Sequence, residues 1–378
     1  MTTVLYICPD ISLGGSTRSL NDLIMSLKDE VKPIVLLPRS GPALELFKSE
    51  GVECIVFPYT LLHQVKRTGW KRCILHPWRI AIIRHLRQDW NCALNVKKIL
   101  GEREIDIVHS NFSPATVGCI LSRILKAKHV WHIREFLDLH FHFDIFLGIP
   151  RLRRLINHAD ARIFISQKVC EHWMPKKKNT WIINDAVCSG DNLPSISCVK
   201  QPYFMFCSFK LTEAKGARIA IEAFGRSRLN KDGYSLKMVG NCDPDYRESL
   251  LKTADTFNCA DRIDFLPCQD DLSSLYANAA GFIMSSYCEG LGRVTAEAMF
   301  YGCPVIAHAS GGTLDLVQEG ITGHLFTTVN ECASKMRLVC SSSQKEIIEK
   351  AQSFIIENLS QKVYGPKVLE VYRTVLSS

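Results

Sequence analysis

Residues 281–326 constrain the fold more than any other stretch of this 378-residue chain. They read GFIMSSYCEGLGRVTAEAMFYGCPVIAHASGGTLDLVQEGITGHLF. The apolar run 281–284 predicts a buried strand, and small polar residues lead from it into Glu289-Gly290-Leu291-Gly292. Residues 293–301 predict a helix, with Ala296, Ala298 and Met299 as good helix formers. Gly302 is placed to end that helix, and Pro304 prevents its continuation. A second short strand over 305–307, a second glycine turn at Gly311-Gly312 and a second helix over 313–319 follow. Such units bring helix N-termini and bare backbone amides to the carboxyl edge of a parallel sheet, where phosphate is held. Glu289 and Glu297 flank the first glycine turn.

The rest of the chain repeats the alternation. Strands are expected at 4–8, 33–37, 52–57, 105–110, 130–133 and 161–166, with a helix over 18–27 after the glycine turn Gly14-Gly15. A second series begins with a strand at 203–208 and runs through 217–224, 236–240, 262–266 and 272–279 into the stretch above. Helices are expected near 345–358 and 361–376. Strand alternating with helix means open parallel sheets with helices on both faces, an α/β fold. The length suits two domains. We expect them at 1–185 and 203–358, joined by a Ser-, Pro- and Gly-rich linker at 186–202, with a C-terminal helix at 359–378 that can pack back on the first domain.

Composition excludes several classes. No apolar run approaches the ~20 residues of a membrane-spanning helix. The N-terminus lacks a basic start and a small-residue cleavage site, so residues 4–8 read as a strand and not a signal peptide. The 16 cysteines form no C-x-x-C and no zinc-finger spacing, so we expect free thiols in a reducing, cytosolic compartment. The net charge of +8 is uneven. Residues 1–190 hold 27 Lys and Arg against 17 Asp and Glu, and the remainder 19 against 21. An excess in one half points to an anionic partner there. Residues 63–87 sharpen this: Lys66, Arg67, Lys71, Arg72, Arg79, Arg84 and Arg87, no acid, with Trp70 and Trp78 interleaved. That pattern suits an anionic membrane surface, or equally a solvated helix face. Residues 136–154, rich in Phe, read as core or as an apolar wall.

For chemistry, Glu289 and Glu297 can accept paired hydrogen bonds from vicinal hydroxyls, as a sugar and a ribose present. On spacing alone, a Glu favoured by the helix dipole and a second on a solvated face explain the pair better. Lys210 and Lys215, in KLTEAKG ahead of a helix, can neutralise a diphosphate, with Arg293 in support; lysines in loops are also often merely solvated. Gly14-Gly15 is a phosphate-type turn but neither G-x-G-x-x-G nor a Walker loop. His132-Ile133-Arg134-Glu135 ends a strand and would face a ligand cleft, although a lone strand-end His is often structural. Asp243-Pro244-Asp245 has a metal-binding form but fits a plain turn, and Asp270-Asp271 fits a helix start.

These residues resemble the family 4 retaining glycosyltransferases. SSYCEGLGRVTAEAMFYGCPVIAHASGGTLDLVQEGITGHLF resembles that family's signature, its E-x7-E pair falling on Glu289 and Glu297. KLTEAKG resembles the family's G-R-x-x-x-x-K-G loop, and VWHIREF, ISQKV and IINDAV resemble shorter blocks in the same order. The resemblance implies a GT-B fold: two doubly wound, Rossmann-like domains facing across a cleft. It implies a nucleotide-sugar donor on the second domain and the acceptor on the first. By motif position Glu289 would contact the transferred sugar and Glu297 the ribose. Lys210, Lys215 and the amides of Gly290, Leu291 and Gly292 would hold the diphosphate. Gly14 and Gly15 would lie near the phosphates or acceptor, and His132 near the sugar as a catalytic group with Glu289 and Lys215. Arg134, Glu135 and Arg18 are candidates for the acceptor side. The family transfers with retention and needs no metal, so no metal or cofactor is expected. Lys210 stands for the usual Arg, Phe209 for Gly, Asp185 for the Gly after Asn184, and Asp315 for Glu.

The expectation is therefore a hexosyltransferase acting from a UDP-linked sugar onto a glycan or lipid-linked acceptor in bacterial surface polysaccharide or lipopolysaccharide synthesis. It would be cytoplasmic or peripheral at the inner membrane face, and nucleic acid is not expected as a partner. The rivals are an epimerase or phosphorylase on the same fold, and a non-catalytic sugar-nucleotide-binding subunit.

Overall fold

A computed structural model describes the chain except at residues 62, 66–77, 113, 140–142, 146, 175–177 and 198. The chain divides into two units, Met1–Ala186 with Gln361–Ser378, and Val187–Ser360.

The strands of the first unit are β1 (Thr2–Ile7), β2 (Val31–Leu37), β3 (Glu53–Val56), β4 (His63–Val65), β5 (Ile107–Ser110), β6 (Lys128–Ile133), β7 (Phe143–Ile145), β8 (Ala161–Phe164) and β9 (Thr180–Ile182). Seven of them form a parallel sheet in the order β3-β2-β1-β5-β6-β8-β9, while β4 and β7 pair antiparallel with each other. The helices are α1 (Gly15–Ser26), α2 (Pro42–Ser49), α3 (Trp78–Leu100), α4 (Val117–Leu125), α5 (Ile149–Asn157) and α6 (Gln167–Trp173). Both faces of the sheet are covered, so its central strands are continuous apolar runs. Alternate side chains of β1 point to opposite faces. Val4 and Tyr6 join one core with Leu20, Leu23 and Phe47; Leu5 and Ile7 join another with Cys92, Val96 and Leu121.

The second unit runs β10 (Gln201–Leu211), α7 (Ala217–Ser227), β11 (Ser235–Cys242), α8 (Pro244–Thr256), β12 (Ile263–Leu266), α9 (Ser273–Asn278), β13 (Ala279–Met284), α10 (Arg293–Phe300), β14 (Val305–His308), β15 (His324–Phe326), α11 (Val329–Ser341) and α12 (Lys345–Leu359). Its parallel sheet has the order β12-β11-β10-β13-β14-β15. The last helix, α13 (Gln361–Leu376), belongs to the first unit, where Tyr364, Val368, Val371, Tyr372 and Val375 enter the core beside Val4 and Tyr6.

Each sheet has one place where the chain starts outward in both directions: between β1 and β5 in the first, and between β10 and β13 in the second. Loops leaving the carboxyl ends of such neighbours part to opposite sides and leave a crevice. Both sets of candidate residues lie at these ends.

One expectation changes. The helix expected over 313–319 is a short 3-10 turn, Gly311–Asp315. The Gln318 amide donates to the Thr322 hydroxyl at 2.9 Å and does not continue a helical ladder. Residues 187–197, 199 and 200 are irregular but are tied into the second unit. Val187 N–H donates to Leu359 O at 2.9 Å, and the Lys200 ammonium donates to Ala277 O and Gly302 O at 2.6 and 2.8 Å. Of the basic stretch at 63–87, Lys66, Arg67, Trp70, Lys71 and Arg72 lie outside the described residues, as do 140–142 and 146 of the Phe-rich stretch. Phe136 and Leu137 are buried. Fourteen cysteines among the described residues are free.

Three histidines of the first sheet are wholly buried or nearly so: His109 on β5, and His129 and His132 on β6. Burial lowers all three pKa values, His129 to about 4 and the other two well below 6.5. The unfolded chain takes up protons at these rings below about 6.5, whereas the folded chain does not. Their contribution to stability is therefore complete above that pH and is lost as pH falls toward 4. Calorimetric unfolding between pH 6.5 and 4 should show a falling Tm and uptake of about three protons by these rings. A Tm that is level across this window would contradict it.

Candidate functional site

In the second unit, glycine stands at several places where two backbone segments come into close contact. β13 ends at Met284, and Ser285 and Ser286 follow, both fully buried. The Ser285 hydroxyl donates to Gly216 O at 2.8 Å. Gly216 has φ +77°, and a Cβ there would strike the Ser285 carbonyl. This clasp holds the loop after β10 against the end of β13. It brings Lys215 Nζ to 2.8 Å from Glu289 Oε1. Both groups are half-hidden, with side chains 25% and 14% exposed.

The second glycine turn backs the first. Gly312 N–H donates to Glu289 O at 2.8 Å. A Cβ on Gly312 would overlap the Gly290 carbonyl oxygen, and one on Gly311 (φ +59°) would lie 2.6 Å from Glu289 O. Gly292, with φ +89°, caps α10 without a side chain, so the first turn of that helix starts from bare backbone. Leu291 is buried and anchors the turn. One helical turn on, Glu297 Oε1 lies 3.8 Å from Arg293 Nε. The structure therefore brings Lys215, Glu289 and the Gly290–Gly292 backbone to one place, with Glu297 and Arg293 on the helix that begins there.

Lys210 lies at the exposed end of β10, where the register with β11 shifts. Its ammonium is 2.9 Å from Asp243 Oδ2, with both side chains largely exposed. Asp243, considered above as a metal ligand, is thus the partner of a lysine. Phe209, which replaces the usual glycine of the resembling motif, is exposed. Among the described residues, no group of three or more His, Cys, Asp or Glu could hold a metal ion.

In the first unit, the carboxyl ends of β1, β5 and β6 are linked by a buried polar network. Asp10 organises the Gly14-Gly15 turn: its carboxylate accepts from Ser12 N–H at 2.9 Å, the Ser12 hydroxyl at 2.7 Å and the Ser16 hydroxyl at 3.2 Å. A Cβ on Gly14 would lie 2.6 Å from Asp10 Oδ2. Arg18 Nε donates back to Leu13 O at 3.0 Å, so this guanidinium braces the turn. Asn111 then spans two strands. It donates to Ser16 O at 3.1 Å and accepts from Arg134 Nε at 2.9 Å.

Arg134 is the hub. It is buried, forms an ion pair with Asp185 and donates to Tyr364 OH at 3.0 Å; it also lies 3.2 Å from His132 Nδ1. Burial works against its charge, but Asp185 and Tyr364 outweigh that and raise its pKa. A charged guanidinium can only donate, so His132 Nδ1 is the acceptor and its proton sits on Nε2. The His132 ring is fully buried. All these partners of Arg134 are groups of the protein itself, and Glu135 accepts from Trp173 Nε1 through its backbone oxygen at 2.8 Å. Sequence reasoning missed Asp10, Asn111, Tyr364 and the role of Asp185. Only Asp185 carried a signal, as a departure from the glycine expected beside Asn184.

Two parallel-sheet α/β units, each with its polar groups at the strand-order reversal, define the GT-B glycosyltransferase type of fold. Comparison with solved structures shows the same fold. Anabaena Alr3699/HepE, solved with UDP and glucose, superposes with a TM-score of 0.80 at 20% identity, covering 99% of this chain and 100% of that one. Sucrose-phosphate synthase (tll1590) from Thermosynechococcus elongatus gives 0.78 at 17% identity, with both chains covered completely. Residues 194–355 match the family model described as glycosyl transferases group 1. Over 88 residues the chain is 44% identical to sulfoquinovosyl transferase SQD2 of Arabidopsis thaliana, 22% of this chain and 17% of that protein. The match thus spans less than a fifth of that relative's length. Both the family model and this relative carry the names of sugar-transferring proteins.

Two variants test the construction. Gly312→Ala should push away the Gly290 carbonyl, and Glu289 with it, and destabilise the protein by about 1–3 kcal/mol in urea unfolding. Unchanged stability would show that the two turns do not depend on each other. Asp185→Ala leaves Arg134 buried and unpaired, and should cost about 3–5 kcal/mol by the same measurement. A cost below about 1 kcal/mol would remove Arg134 from its central role.

Proposed function

We propose that the chain is a retaining glycosyltransferase of family 4, moving a hexose-type residue from a UDP-linked donor to a glycan or lipid-linked acceptor in surface polysaccharide assembly. The observation that carries this is the Lys215–Glu289 pair, fixed at 2.8 Å over the glycine-capped start of α10. A cation, a run of backbone amides and a carboxylate in one place suit a ligand with a diphosphate beside sugar hydroxyls.

In this proposal Lys215 and the amides of Gly290, Leu291 and Gly292 hold the diphosphate. Lys210 joins them by exchanging Asp243 for a phosphate oxygen. Such an exposed pair is worth only about 0–1 kcal/mol, so the exchange is cheap. Glu289, released from Lys215, accepts hydrogen bonds from the transferred sugar, and Glu297 does so from the ribose. The bond from the anomeric carbon to the diphosphate breaks, and its electron pair leaves with the diphosphate. The acceptor oxygen bonds to the same face of that carbon, and its proton passes to a departing phosphate oxygen. Lysine stabilises charge that develops only on departure, which is the economical use of a fixed cation.

The first unit, residues 1–185 in this proposal, takes the acceptor. Gly14 and Gly15 approach it through their backbone. His132, Arg134, Glu135 and Arg18 act as positioning groups behind the surface, since His132 and Arg134 are buried and Arg18 braces the turn.

With UDP-sugars and a lipid-linked saccharide acceptor, Glu289→Gln and Lys215→Ala should each lower the transfer rate about 100-fold or more. The anomeric configuration of the wild-type product, read by NMR, should match the donor. Near-wild-type rates in both variants would end the assignment. Sugar isomerisation without acceptor would instead favour an epimerase.

A further inference from the structure

One exposed flank of α3 is apolar where a surface helix is usually polar. Its inward side carries Asp89, Cys92, Ala93, Val96 and Leu100, all buried. On the outside, Ile83 and Trp90 are 54% exposed, and Leu86 and Leu94 42%. Their spacing of three, four and four residues sets them in one stripe along the helix. Arg84, Arg87, Lys97 and Lys98 are exposed along and beside that stripe. The helix has a single acid, Asp89, and it points inward. There its carboxylate accepts from Thr60 N–H at 2.9 Å and from the Thr60 and Thr116 hydroxyls at 2.8 Å each. The outer face is therefore apolar and basic, with no negative group of the helix to offset it.

We propose that α3 is a docking helix for an anionic lipid surface, with Ile83, Leu86, Trp90 and Leu94 entering the interface and Arg84, Arg87, Lys97 and Lys98 meeting lipid phosphates. An apolar ridge bearing a Trp, with exposed cations and no anion of its own helix beside it, matches the chemistry of a headgroup boundary. A second copy of this chain would set these cations against their own kind, so charge complementarity favours lipid over self-association. The helix lies on the surface and does not cross, because no helix among the described residues is long and apolar enough to span a membrane. The inference is independent of sugar transfer, and the assay that tests it requires none.

The full chain is mixed with vesicles of equal parts phosphatidylglycerol and phosphatidylcholine, or of phosphatidylcholine alone, and sedimented. Binding is expected to the anionic vesicles only, weakened by added salt. The double variant Leu86→Ser with Trp90→Ser, and separately Arg84→Glu with Arg87→Glu, should each weaken it by about tenfold or more. All four side chains are exposed, so circular dichroism and Tm should be unchanged. Trp90→Phe should still bind and should lose part of the fluorescence quenching by brominated lipid. Equal partitioning of wild type and both double variants would overturn the proposal. So would concentration-dependent dimerisation that Leu86→Ser with Trp90→Ser abolishes in a chain that ignores vesicles.

Discussion

One backbone contact organises the second unit: the Gly312 amide on the Glu289 carbonyl, 2.8 Å away. Its own energy is modest, about 0.5–1.5 kcal/mol net, and the Lys215–Glu289 ion pair is partly open to water and worth no more than that order. Neither would hold a carboxylate in one place unaided. The decisive term is steric. A Cβ on Gly312 would overlap Gly290 O, and one on Gly216 would overlap the Ser285 carbonyl. Three loops can approach one another only because glycine stands at each crossing, and the attractive terms then act on geometry already narrowed by exclusion.

The first unit solves a similar problem by the opposite means. Its strand ends are joined by side chains, around a buried guanidinium whose desolvation costs several kcal/mol. Asp185, Asn111 and Tyr364 offset that cost, and they come from three separate places in the chain. Tyr364 is on α13, so the C-terminal helix completes a network begun by β1, β5 and β6. Tyr372, about two turns further along the same face, lies 2.7 Å from His109 Nδ1 and 3.3 Å from the Tyr6 hydroxyl. A helix that contributes two buried hydroxyls and a row of valines to the core is part of that unit's fold, not an appendage.

What could be read from sequence follows from this contrast. Period, glycine and proline are local signals, so both parallel sheets and the glycine turns around Glu289 were legible. So was the Lys215 loop, because a lysine ahead of a glycine and a helix is itself a local pattern. The helix expected over 313–319 failed because the Thr322 side chain, not the backbone, satisfies Gln318. Helix α11 passed unnoticed, although Thr328 and Glu331 form a reciprocal capping box that the spacing T-x-x-E announces. The Arg134 network was illegible for a different reason. Asn111, Asp185 and Tyr364 have no local relation to Arg134, and only strand order brings them together. A His and an Arg at a strand end look alike in sequence whether they face a ligand or the interior.

Charge shows the same dependence on topology. The excess of basic residues in the first half is a bulk property until α3 is placed on its sheet. Once Asp89 turns inward to three donors from Thr60 and Thr116, the helix keeps Arg84, Arg87, Lys97 and Lys98 outside and hides its one anion. Burial pushes the pKa of Asp89 up, and its hydrogen bonds only partly counter that, so the site accepts a carboxylate because donors are supplied and not because water is near. The same side chain that anchors α3 therefore leaves its outer face without a compensating charge. Structural need and surface character are set together by a single residue, and a tally of net charge would not separate them.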